Sequence, residues 1–119
     1  MKKLKKIGFF PIRPTDLYIQ ELKTLIREQG DPGEEKILAY LKSGHRFIAD
    51  AGIAKDLIDP KHPIIGVPDV MTDGEWAWTS DLVYYVKKYH IQLPVEFLAY
   101  MELKNWVVSD VKNFQEITL

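Results

Sequence analysis

Asp73-Gly74 lies between two short apolar runs and constrains the chain more than any other dipeptide in it. Both central positions of a type I′ turn need positive φ, which Asp tolerates and Gly adopts freely, so the pair predicts a β-hairpin. Its arms are Val70-Met71-Thr72 and Glu75-Trp76-Ala77-Trp78. Trp76 and Trp78 are two residues apart, so they share a face. Upstream, Ile64 to Met71 is apolar and β-branched, but Pro68 makes its centre an edge or a bend.

Helical periodicity surrounds this hairpin. Tyr18, Leu22, Leu25 and Ile26 recur on one face of a helix predicted over Asp16 to Gln29, with Thr15 as its cap and Gly30 as its stop. Asp31 then caps a second helix, with Pro32 in the first position and Glu34 completing a capping box. Ile37, Leu38 and Leu41 form its buried stripe, and Gly44 ends it. His45 to Asp50 reads as a short strand, and residues 54–63 as a loop with two prolines. After the hairpin, Thr79 or Ser80 caps a third helix, with Asp81 in its first turn. Leu82, Tyr85, Val86 and Tyr89 are its inner stripe, and Tyr84 lies on the outer side. Leu93-Pro94 opens a fourth helix with Phe97, Leu98 and Met101 at helical spacing and a narrow polar face. Residues 106–119 have no period. The expected fold is α+β: a helical pair, a small antiparallel sheet with an Asp-Gly hairpin, then two further helices packed on it. The 119 residues fit one domain, with 1–14 a basic, partly ordered N-terminal segment.

Composition excludes several chemistries. There is no cysteine, hence no disulfide, thiolate metal site or cysteine nucleophile. The net charge is −1, and residues 1–15 carry Lys2, Lys3, Lys5, Lys6 and Arg13 without an acid. Taking that +5 from the total leaves −6 for the remainder. This balance favours a protein partner or self-association over nucleic acid. The apolar run after the basic start is only Ile7 to Phe10, short of the roughly 7–15 residues of a secretory signal. No stretch approaches the ~20 apolar residues of a membrane span. A cytoplasmic location and no membrane contact are the expectations.

No motif for nucleotide binding or serine hydrolysis occurs, and no cofactor is implied. Ser43, Ser80 and Ser109 each have a cap or turn explanation. His45, His62 and His90 form no i, i+4 pair, so no metal site is expected. Asp69, Asp73 and Glu75 surround the hairpin, where turn chemistry explains them better than a cation. A small hydrolase-like enzyme would need a His–carboxylate pair drawn from His45, His90, Asp50 and Asp73. The aromatic density is the more distinctive feature. Trp76, Trp78, Tyr84, Tyr85, Tyr89, Phe97 and Tyr100 fall between positions 76 and 100. Most suit a core; any exposed part would be a binding surface, with Trp76, Trp78, Tyr84 and Tyr100 as candidates.

The run Thr72-Asp73-Gly74-Glu75-Trp76-Ala77-Trp78, with Leu82, Tyr85-Val86, His90, Leu93-Pro94 and Glu96-Phe97, resembles a group of small bacterial proteins. Their signature reads TDG-x-W-x-W, L-x-x-YV, then H-x-x-LP-x-EF. Tyr40-Leu41 and Gly44 resemble the YL-x-x-G step before it. The likeness covers about half the chain, within positions 37–101. It implies a shared fold and no reaction, since no activity goes with the signature. Small proteins of this class often accompany toxins as immunity partners. The expected function is a non-enzymatic protein-interaction module, such as a bacterial immunity or accessory protein; any small-molecule ligand is left open.

Overall fold

The computed structural model describes residues 1–7, 16–49 and 52–119. Thr15 and Asp50 lie outside the described residues, as does the side chain of Tyr18. Over the described residues the fold is a small α+β domain with four helices and mixed sheets. Its strands are β1 (Lys2–Lys3), β2 (Lys5–Lys6), β3 (His45–Ile48), β4 (Ala54–Lys55), β5 (Ile64–Gly66), β6 (Val70–Thr72), β7 (Trp76–Thr79) and β8 (Ile117–Thr118). Its helices are α1 (Asp16–Thr24), α2 (Glu34–Lys42), α3 (Leu82–Tyr89) and α4 (Val95–Leu103).

The main sheet runs β2-β7-β6-β3. β6 pairs antiparallel with β7 and β3, whereas β2 lies parallel to β7. Alternation along these strands sends side chains to two cores. Ile7, Trp76 and Trp78 face a core shared with Ile37, Tyr40 and Leu41 of α2, Val86 of α3, and Phe97 and Met101 of α4. Leu4, Val70 and Ala77 face the other side and pack with Ile117. A third cluster joins Leu22, Tyr85 and Ile91, with Leu57, Ile58 and Ile65 packed on it.

The expected two-residue turn gives way to a longer connection. Cα pairing stops at Thr72↔Ala77, and only Gly74, not Asp73, has positive φ. Asp73 acts through its side chain instead. Its Oδ1 accepts from the N–H groups of Glu75 (2.9 Å) and Trp76 (2.7 Å), and its Oδ2 accepts from the Tyr40 hydroxyl (2.5 Å). Thr72 Oγ1 adds a bond to the Trp76 carbonyl at 2.7 Å. A buried carboxylate needs such partners, and the turn supplies them.

α1 ends at Thr24, five residues before the predicted Gln29. Tertiary bonds replace the helical ladder there: Arg27 N–H donates to the Tyr89 carbonyl (3.1 Å) and Gln92 N–H to the Leu25 carbonyl (2.9 Å). Asp31 is likewise no cap. It receives Arg27 Nη1 at 2.8 Å and Nη2 at 3.2 Å, and α2 begins after Gly33, at φ +83°. Residues 54–63 are not wholly loop, because β4 pairs antiparallel with β5. The basic N-terminal segment contributes β1 and β2 over its described residues, with Leu4 and Ile7 buried. Residues 106–119 include a single 3-10 turn (Phe114–Glu116) and β8, which pairs parallel with β1.

Candidate functional site

An apolar cleft of about 390 Å³ opens between α1, α3 and the stretch leading into α4. Leu22 and Leu25 form one wall, Leu82 and Tyr85 another, and Ile91, Leu93, Pro94 and Val95 a third. Ile7 and Leu57 also line it. The helical spacing of Leu82 and Tyr85 turns both toward the cleft, where they meet Leu22 of α1 and Leu25 just beyond its end. Among the described lining residues, the polar ones are Glu21, Thr79, Asp81 and Gln92. None is basic. Val95 on the rim is 73% exposed, and Leu25 and Ile26 are also exposed.

Asp81 stands at the start of α3 but makes no capping bond through its side chain. The Thr79 hydroxyl donates to its carboxylate. Burial pushes the Asp81 pKa above its ordinary value, against the opposing pull of the Thr79 bond. Ser80 is occupied elsewhere: its hydroxyl donates to the Val67 carbonyl and accepts from Asp69 N–H. Thus Thr79, Ser80 and Asp81 are three successive cap-type residues, and none caps α3 through its side chain. Sequence reasoning placed Asp81 only as a first-turn acid of α3, and this surplus of cap-type residues is the signal that could have singled it out.

The residues singled out from sequence do not converge on this cleft. Trp78 is 0% exposed and Trp76 is 7% exposed, so neither offers a surface to a partner. Both pack on Phe97, at ring-centroid distances of 5.1 Å for Trp76 and 5.5 Å for Trp78. Tyr100 is half-buried beside the same core. Tyr84 is half-buried and tied to Asp56, just after β4. Its hydroxyl donates to Asp56 Oδ2 at 2.7 Å, and the Tyr89 hydroxyl does so at 2.6 Å. Asp56 Oδ1 accepts from the N–H groups of Ile58 (2.8 Å) and Asp59 (2.9 Å). Burial alone would raise the Asp56 pKa, but these four bonds together hold it at about 2. Lys88 Nζ lies 3.5 Å from the same carboxylate.

The histidines are separately engaged. His45 Nε2 bonds the Ser109 carbonyl at 2.9 Å, and His62 Nδ1 the Asp56 carbonyl at 2.8 Å. His90 has φ +53° and meets the Glu34 carboxylate through Nδ1 at 2.9 Å. The His–carboxylate pair is therefore His90–Glu34. Asp73 is committed to the β6–β7 turn and to Tyr40 instead. Around the hairpin, Asp69 pairs with Arg46 at 3.5 Å, and Glu75 pairs with Lys2 and, at 3.5 Å, with Lys5. The acids near the turn therefore have separate cationic or hydrogen-bonding partners. Among the described residues no group of three or more His, Asp or Glu is placed to hold a metal ion. Nor is any described helix long and apolar enough to cross a membrane.

No protein family, curated protein or solved structure matches the chain.

Proposed function

We propose that this chain is a non-enzymatic binding module that works through the cleft between α1, α3 and the stretch before α4. The observation that carries this reading is the cleft itself: about 390 Å³, walled by aliphatic side chains and open to solvent. Small-molecule sites have this size and lining, with a few polar groups fixing orientation. The histidines lie elsewhere and are each hydrogen-bonded, which supports binding over catalysis. With this reading we keep, as a proposal, the kinship with small bacterial proteins of the TDG-x-W-x-W signature. Their immunity and accessory roles are binding roles too.

A neutral apolar fluorophore, N-phenyl-naphthylamine, tests the cleft. Its emission should rise on addition of the protein and stay low with Val95→Trp, which narrows an exposed rim without disturbing the core. Equal emission with both proteins removes the cleft as the binding site.

A second reading, self-association, rests on Leu103 at the end of α4 and Val107 in the segment after it, both largely exposed. Light scattering should then give twice 13.8 kDa for the native chain and 13.8 kDa for Leu103→Glu. A native mass of 13.8 kDa at high concentration rejects it.

A further inference from the structure

The polar groups of the cleft are unequal in sign. Glu21 and Asp81 are acids, and no Lys, Arg or His lines the cleft among the described residues. Glu21 is exposed at the mouth, whereas Asp81 is half-buried. Among the described residues, the Thr79 hydroxyl is the only side chain that donates to the Asp81 carboxylate, and Asp81's own backbone N–H is its other donor. A carboxylate in apolar surroundings is costly unless a counter-charge or several donors meet it. Asp56 shows how this fold satisfies a buried carboxylate when no ligand is involved, with two hydroxyls and two backbone N–H groups. Asp81 has no such shell.

We infer that the cleft takes an apolar ligand bearing one protonated amine, with its hydrocarbon between Leu22, Leu82, Tyr85 and Leu93 and its ammonium against Asp81. The inference rests on the cleft being the binding site. Glu21 adds negative potential at the entrance and draws cations in. A neutral alcohol of the same skeleton fills the same apolar space but leaves Asp81 without a counter-ion. A carboxylate of that skeleton brings like charges together. Asp81 is raised in pKa by burial, and a bound ammonium favours its ionised form, so wherever Asp81 is partly protonated binding should be accompanied by proton release.

Calorimetry on the full chain with phenylbutylamine, phenylbutanol and phenylbutanoate separates the possibilities. The amine should bind about tenfold more tightly than the alcohol, as a charge-assisted hydrogen bond implies, and the carboxylate most weakly. Asp81→Asn keeps the volume and still accepts from Thr79. In that variant the amine and the alcohol should bind within about twofold of each other. The inference is overturned if the alcohol matches the amine on the native chain, or if the amine's advantage survives Asp81→Asn. In either case the cleft itself still stands as an apolar site. If none of the three ligands binds, the cleft is not a ligand site and both readings fail.

Discussion

Gly44 follows α2, and its Cα faces the Trp78 indole. A Cβ built there would lie 2.5 Å from Trp78 Cζ2 and 3.3 Å from Met71 Cβ. The indole is fully buried, and its Nε1 donates to the Leu41 carbonyl at 3.2 Å, so it has nowhere to go. Gly44→Ala should cost about 1–3 kcal/mol, the usual range for overpacking, measured by urea unfolding. From sequence Gly44 reads as a helix stop, and the close approach is invisible because Trp78 is 34 positions away. Asp81 poses the opposite case. Its folded pKa is raised, so the native state holds its proton more tightly than the unfolded chain does. Its favourable contribution exists at low pH and is lost as pH rises from its ordinary value of 3.8 toward the raised one. At pH 7 Asp81→Asn should stabilise the protein by about 0.5–2 kcal/mol, as substitutions at functional positions often do. Thermal melts should show that gain shrinking below pH 3.8. An equal gain at every pH would disconnect it from ionisation.

At the scale of elements, helices with an apolar stripe were legible and short strands were not. Leu82, Tyr85 and Val86 announce α3, and Phe97 and Met101 announce α4, because a 3.6-residue period needs several turns to show itself. β1, β2, β4 and β8 have two residues each, too few for any period. Lys2 to Lys6 looks like a solvated terminus, yet Leu4 is 2% exposed. Leu4→Ala should cost about 2–5 kcal/mol, while Lys3→Ala should change stability by under about 0.5 kcal/mol. Chemical denaturation of the two variants side by side checks this. The cleft was legible only in part. Leu22, Leu82 and Tyr85 were recognisable as inward-facing, but whether inward-facing residues close on one another or leave a space depends on inter-element geometry. α1 stops at Thr24 where Leu25 and Arg27 bond to Gln92 and to Tyr89 at the end of α3, a partnership between distant segments that no local pattern encodes.

At the scale of the whole molecule, Asp56 ties the β4–β5 ribbon to α3 through Tyr84, Tyr89 and Lys88. Its folded pKa of about 2 lies below its ordinary 3.8. The stability it confers is complete above 3.8 and lost as pH falls toward 2. Acid unfolding should therefore steepen in that window. Tyr89→Phe removes one bond to the buried carboxylate and should cost about 1.5–3 kcal/mol at pH 7, with a shallower acid transition. An acid transition identical to that of the native chain would show that Asp56 does not govern it. The radius of gyration, 14.0 Å, is close to the ~13–14 Å of a folded chain this long, so loss of this tie should register in the global transition.

The parallel pairing of β1 with β8, Lys2 against Ile117 and Lys3 against Thr118, sets how the fold answers to tension. A force drawing residues 1 and 119 apart pulls these two strands along their length in opposite directions. Their hydrogen bonds are then loaded together in shear instead of opening one after another like a zip. Resistance to stretching is concentrated at this one small contact, and rupture there exposes β2, itself parallel to β7, to the same lengthwise load.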